Sequence, residues 1–458
     1  MSYDLAVVGS GGAAMAAAIA ARQAGKTVVL IERGTLGGTC VNVGCVPSKT
    51  LLAAAGARHG ALSNPFVGGP TSAGPVDLAT LVGQKDELVG RLRQAKYADV
   101  AAAHGFEVRP GQARFTGADT LEVDGRPLPA AAYLITTGAA PAVPELPGLA
   151  EVDYLTSTTA MEQSELPESL VVIGGGYVGM EQAQLFAHLG ARVTLVGRLA
   201  PAAEPELAAV LAQVFAEDGI TVITDRAASI ERDGPAAVVV TRSGQRAAGR
   251  RLLVATGRQP RIPGLDLDAA GVKTDERGFV LIDEYQATSN PRVWAAGDVT
   301  GAPQYVYVAA AGGRAAALNA TGTAGTRPAT VDYAGLPAVV FTRPQLAAAG
   351  LTEAQALAAG HRCDCRVLDL SDVPRALANR DTRGTVKLVA DADTGRVLGV
   401  HAAAEAAGEL MLAATYAIKA RMTVDDVADT WAPYLTMAES LRITAGLFRN
   451  QMPTSCCA

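Results

Sequence analysis

The chain has 458 residues, of which 49% are hydrophobic and 18% charged, and a formal net charge of -6. That length has room for about three domains with large buried cores, and the acidic balance offers no basic surface for nucleic acid or anionic lipid. No basic region leads into an apolar stretch near Met1, and the Ala-rich runs are broken by Gly, Arg and acids, so neither a signal peptide nor a membrane span is expected. Six cysteines are too few for a disulfide scaffold and, in a cytoplasmic protein, point to catalysis or metal binding.

In chain order, the first predicted strand, Leu5 to Val8, runs into Gly9-Ser10-Gly11-Gly12-Ala13-Ala14, an Ala-rich helix, and a second strand, Thr27 to Ile31, ending in Glu32. The pattern returns: strand Leu170 to Ile173, Gly174-Gly175-Gly176-Tyr177-Val178-Gly179, a helix to about Leu189, and strand Arg192 to Val196. The offset from first glycine to strand end matches, 9 to 32 and 174 to 197. Two copies in strand-turn-helix-strand context are strong evidence for two Rossmann-like dinucleotide-binding units. The first glycine (Gly9, Gly174) permits a tight turn and the second (Gly11, Gly176) admits a pyrophosphate. The third position (Ala14, Gly179) packs helix on strand, and the helix N-terminal amides, from Gly12 in the first copy, face the phosphates. Glu32 suits a ribose diol, as in FAD or NAD. The second copy has Gly197 there and then Arg198, which removes repulsion of a 2′-phosphate and favours NADPH over NADH. Thr137, Gly138 and Gly257 are further cofactor-binding candidates. So is Gly297-Asp298, an acid after a strand, suited to a flavin's ribityl hydroxyls.

Between the copies lies Gly37-Gly38-Thr39-Cys40-Val41-Asn42-Val43-Gly44-Cys45-Val46-Pro47-Ser48-Lys49, and Cys456-Cys457 stand one residue from the C-terminus. Gly38 and Thr39 are candidates for flavin contact. His59 to Pro75 reads as a loop-like insertion and Thr321 to Ala329 as a linker. From about Tyr333 the texture becomes that of a separate α+β domain. There Cys363-Asp364-Cys365 puts two thiols on one face of a strand, with a structural role expected.

These motifs identify the chain as a member of the pyridine nucleotide-disulfide oxidoreductases, a resemblance that covers nearly its whole length. It implies an α/β fold of two dinucleotide-binding domains plus a C-terminal α+β dimerisation domain. The expected divisions are 1–148 for FAD, 149–267 for NAD(P), 268–332 for the central part, 333–450 for the interface domain and 451–458 for a mobile tail. It further implies a homodimer whose active site is shared between subunits, with FAD between nicotinamide and disulfide. Cys45 would be the thiolate against the flavin, Cys40 would face substrate, and Lys49 would pair with Glu181 to tune flavin charge.

One departure narrows the reading. Most disulfide reductases of the family carry a His-Pro-x4-Glu type motif near the C-terminus. Here Trp431-Ala432-Pro433-Tyr434-Leu435-Thr436-Met437-Ala438-Glu439 stands instead, keeping the acid but replacing the imidazole by Tyr434. Splitting an organic disulfide moves protons in the range where imidazole titrates, whereas a phenol with pKa near 10 is a poor substitute. Hg(II), a soft cation that binds two thiolates, does not need that proton. Tyr434 to Glu439, the Cys456-Cys457 tail and Val373-Pro374-Arg375-Ala376-Leu377 resemble the mercuric reductase branch of the family. That likeness implies Hg(II)-thiol complexes as substrate, the tail passing metal to Cys40 and Cys45 of the other subunit, and Tyr177 and Tyr434 in the metal pathway. Tyr177 also suits a ring shielding the nicotinamide. The flavin motif begins within ten residues of Met1, so the N-terminal metal-binding domain of many such enzymes is expected to be absent. The rival readings are a large thioredoxin reductase, a lipoamide dehydrogenase, and a flavoprotein that senses redox state or sequesters metal without turnover.

Overall fold

The computed structural model describes residues 2–451. Each glycine fingerprint opens a parallel sheet. In the first, Tyr3–Val8 pairs with Val28–Glu32, Leu5 opposite Val28 and Val8 opposite Ile31. Glu107–Pro110 lies outside Val28–Glu32; Ala130–Ile135 and then Val293–Ala295 extend the sheet the other way. Covered on both faces, its central strands are unbroken apolar runs, and Leu5, Ala6 and Val7 are fully buried. The edge strand Val293–Ala295 brings Gly297-Asp298 back beside the N-terminal fingerprint. Thr27, expected within the second strand, lies just before it, because its N–H and hydroxyl both donate to the Asp4 carboxylate.

The second sheet centres on Ser169–Ile173, flanked by Arg192–Val196 and Arg251–Val254, with Thr221–Ile223 and Tyr154–Thr156 at its edges. A three-stranded antiparallel sheet, Ala227–Asp233, Ala236–Thr241 and Arg246–Gly249, packs Ile230 and Val239 onto Val171 and Ile173. The chain crosses between the two units twice, and those crossings pair as Ala139–Pro141 with Arg258–Pro260.

The C-terminal unit is an antiparallel sheet of Pro337–Val340, Gln345–Gly350, Val397–Ala404, Thr385–Asp391 and Cys363–Asp369. Helices Ala407–Lys419 and Glu439–Gly446 share a core with Val386, Leu388 and Val400. Lys387 is buried against the second unit and reaches Glu204 and Glu206, each at 3.0 Å, and Glu353 at 2.7 Å. Burial opposes its charge, but the three carboxylates hold the ammonium above its usual pKa range.

Helix Cys45–Leu62 carries the inner thiols at its start. It includes His59 to Leu62, expected as loop; alanine-rich sequence carries the helix to Leu62, and irregular chain begins at Ser63, just before Asn64-Pro65. Its Leu51 and Ala55 enter a cluster with Leu185 and Phe186 of the second unit and with Val340, Leu346 and Ala403 of the C-terminal sheet. One apolar core thus touches all three units.

Candidate active site

The first turn closes because Gly9 takes φ +117°, where a Cβ would lie 2.5 Å from the Thr136 carbonyl oxygen. Gly174 repeats the conformation at φ +113°, and a Cβ on Gly179 would meet the Gly174 carbonyl at 1.9 Å, so only glycine lets this helix seat on its strand. Ala14 is fully buried in the equivalent place.

A cleft of about 710 Å³ opens at the first turn. Its walls include Gly9, Gly11, Gly12, Glu32, Gly38, Thr39, Thr137, Gly138, Gly297 and Asp298, together with Cys40, Cys45, Lys49, Tyr177 and Glu181. Glu32 accepts from the Gly34 N–H at 2.7 Å and from the Ser10 hydroxyl, which aims its carboxylate at the rim. Burial holds the Asp298 carboxyl above its usual range, against the pull of Arg258, whose Nε lies 3.7 Å away. The walls fit the flavin nucleotide that the fingerprint implies. Thr137 Oγ1 and Gln182 Oε1, both buried and lining this cleft, have no hydrogen-bond partner among the described residues.

Cys40 and Cys45 are both thiols. The Cys40 S–H donates to Cys45, lowering the Cys45 pKa to about 7; burial opposes this and the Lys49 ammonium assists. The same hydrogen bond, with burial, raises Cys40 far above the ordinary thiol range. The pair therefore titrates near neutral pH, and the negative charge it gains is centred on Cys45. Lys49 Nζ meets both Glu181 oxygens, at 3.0 and 2.8 Å, and lies 4.6 Å from the Phe341 ring centroid. Glu181 also accepts from the Phe341 N–H at 2.9 Å, so all three units contribute to this ion pair.

A second cleft, of about 1350 Å³, opens at the second turn and is lined by Gly174, Gly176, Arg198 and Gly257. A Cβ on Gly176 would meet nothing within 4 Å, so the backbone there is open to a close-approaching phosphate. The two clefts share Tyr177, Val178 and Tyr305 as a common wall, where burial and then the Tyr177 phenol push the Tyr305 phenol above its usual range.

Tyr434 and Glu439 line neither cleft. Glu439 is buried and accepts from the Leu435 N–H at 3.0 Å, with Arg442 at 3.7 Å. Tyr434 is 49% exposed, beside Trp431 at 97%. Cys456 and Cys457 lie outside the described residues. Cys363 and Cys365 stand on the edge strand Cys363–Asp369, as expected. Sequence reading missed Arg258, Tyr305, Tyr307 and Phe341 in the first cleft and Arg226 and Arg242 in the second. Of these, Arg258, next to Gly257, and Tyr305 and Tyr307, a few residues after Gly297-Asp298, lay near residues the sequence had singled out. No helix among the described residues is long and apolar enough to cross a membrane.

Comparison with known proteins agrees with this architecture. Residues 3–313 match the family described as pyridine nucleotide-disulphide oxidoreductase, and residues 336–445 match its dimerisation domain. The chain is 53% identical to a mercuric reductase from Streptomyces lividans, over 100% of this chain and 98% of that protein. It is 47% identical to one from Lysinibacillus sphaericus, over 100% and 85%. Among solved structures, the HOCl-induced flavoprotein disulfide reductase RclA from Escherichia coli superposes with a TM-score of 0.87 at 29% identity, covering 97% of this chain and 100% of that one. LpdA from Mycobacterium tuberculosis gives 0.85 at 29% identity, over 97% and 99%. The chain belongs to the pyridine nucleotide-disulphide oxidoreductase family and, within it, to the mercuric reductases.

Proposed function

We propose that this chain reduces thiol-bound Hg(II) to elemental mercury with NADPH, through FAD and the Cys40–Cys45 pair, as a cytoplasmic homodimer that detoxifies mercury. The observation that carries the reading is the dithiol beside Lys49 and Glu181, on a cleft that joins a second nucleotide cleft at Tyr177.

FAD, when bound, supplies the two-electron link between nicotinamide and dithiol. In the first cleft the Gly9 turn would hold its phosphates, Glu32 the ribose and Asp298 the ribityl chain. In the second, Gly174 and Gly176 would hold the NADPH phosphates. Arg198 supports a 2′-phosphate there, with Arg226 and Arg242 in the same wall. Asp225 also lines that wall, but its carboxylate is engaged by the N–H groups of Arg226 and Ser243.

Cys45, about half thiolate near neutral pH, and Cys40, which releases its proton to solvent as metal binds, together take the ion from its thiol ligands. Two S–Hg bonds to the incoming ligands break as two to Cys40 and Cys45 form, so charge is conserved. Two electrons then give the neutral atom, and Cys40 regains its proton from solvent while Cys45 is left as the thiolate. No proton has to be placed on a leaving sulfur, which agrees with Tyr434 standing where disulfide reductases of the family keep a histidine. Tyr434 and Glu439 would meet the cleft of the second subunit, a reading supported by the exposed Trp431 and Tyr434 and by neither Tyr434 nor Glu439 lining this chain's own clefts. The Cys456-Cys457 tail would collect Hg(II) from small thiols.

The test follows NADPH oxidation with Hg(II) plus excess thiol, beside oxidised glutathione, lipoamide and thioredoxin, while trapping volatile mercury. Rapid oxidation with mercury release in the first assay alone is expected; fast turnover of a disulfide without mercury release would overturn the proposal.

A further inference from the structure

At the far end of the helix pair that carries Lys49 and Glu181, three potential metal ligands converge. His59, on helix Cys45–Leu62, His188, on helix Tyr177–Leu189, and Asp218, just past helix Pro205–Glu217, place one ligand atom each within 4.8 Å of one another. His188 Nε2 lies 2.8 Å from Asp218 Oδ2, and His59 Nε2 lies 3.6 Å from Asp218 Oδ1. The two rings stack with centroids 3.8 Å apart and planes 16° from parallel.

We propose that His59, His188 and Asp218 bind a borderline divalent transition cation of the Zn(II) class, and that this ion clamps the first nucleotide-binding unit to the second. Two imidazoles and a carboxylate are a common three-ligand set for such ions, leaving a fourth position for water. The set contains no thiolate, so it is mismatched to the soft Hg(II) substrate and is separate from the redox site.

The surroundings suit the role. Gln184 Nε2 donates to Asp218 at 2.9 Å and Arg58 donates to the His188 carbonyl at 2.8 Å, orienting two of the three ligands from behind. His188 and Asp218 have side chains only 4% and 3% exposed, while His59 is 20% exposed and gives an ion a way in. Arg343 and Arg383 stand close enough to His59 to act on it electrostatically. Arg383 is itself paired with Asp381 at 2.8 Å and Glu217 at 3.2 Å, which blunts its repulsion of a cation. Two nearly parallel rings cannot aim both lone pairs at one ion. Loading therefore requires the His59 ring to turn out of the stack.

The test uses full-length, FAD-loaded, oxidised enzyme stripped with a chelator and then dialysed against Zn(II), with zinc equivalents and Tm as readouts. Wild type should bind one equivalent more than His59→Ala and gain about 2–4 °C in Tm, a gain the variant lacks. His59→Gln, closer in size, is the second variant should alanine impair folding. Zinc held by cysteines contributes equally to all three proteins and cancels. Equal zinc content and equal Tm response in wild type and variants, or no response in any, would overturn the site and leave a hydrogen-bonded staple only.

Discussion

Around Cys45, one chain supplies its own electrostatics: Lys49 is fixed by Glu181, Glu181 by the Phe341 backbone, and the thiolate by Cys40. Around Tyr434 the same chain leaves Trp431 97%, Tyr434 49% and Leu435 40% exposed, while Glu439 accepts from the Leu435 N–H beneath them. The first region is preorganised within a subunit; the second presents side chains outward, as an interface awaiting a second surface does. Thiolate chemistry should therefore respond to local substitutions, whereas the function of Tyr434 should depend on which subunit carries it.

The largest effect expected is from Cys45→Ser, which should lower Hg(II) reduction by about 10³-fold or more. Mixed dimers sharpen the contrast. If each site takes thiols from one subunit and Tyr434 from the other, a Cys45→Ser chain paired with a Tyr434→Ala chain reconstitutes one intact site. Activity of such tagged heterodimers no greater than the mean of the two parent homodimers would refute sharing. Next, Lys49→Met removes a charge that lowers the Cys45 pKa. The sign is fixed: the thiolate fraction falls as pH drops through about 7 in the wild type, and in the variant the alkylation midpoint should move up by about one unit. An unmoved midpoint in the NADPH-reduced enzyme would detach Lys49 from the thiols. Tyr434→Phe, which deletes one hydroxyl, should cost about tenfold in kcat for Hg(II) and leave the Cys45 midpoint in place. Arg198→Ala should cost roughly tenfold or less in kcat/KM for NADPH and little for NADH, with Arg226 and Arg242 remaining in the wall.

Much of this frame was legible because it is periodic or local. The two glycine turns repeat at one offset, and the segment from Gly37 to Lys49 is contiguous, so strand, turn and helix follow from short-range rules. The pairing of Lys49 with Glu181, 132 positions apart, came from family likeness and not from pattern. Other contacts between positions distant in the chain, without that help, stayed hidden: Arg258 against Asp298, Tyr305 against Tyr177, and the meeting of His59, His188 and Asp218. Each is made by the packing of one unit on another, which leaves no spacing to read. The extension of the Cys45 helix through His59 was missed for a different reason. Gly60 resembles a loop residue, while the alanines before it carry the helix onward.

The cluster that joins Leu51, Phe186 and Ala403 has a consequence for how the molecule comes apart. Solvent that enters this cluster wets walls of all three units at once, so calorimetry should record a single cooperative endotherm instead of three. Fragments cut at the unit borders would each expose a raw apolar scar, and nature has correspondingly little freedom to shuffle these pieces as independent modules.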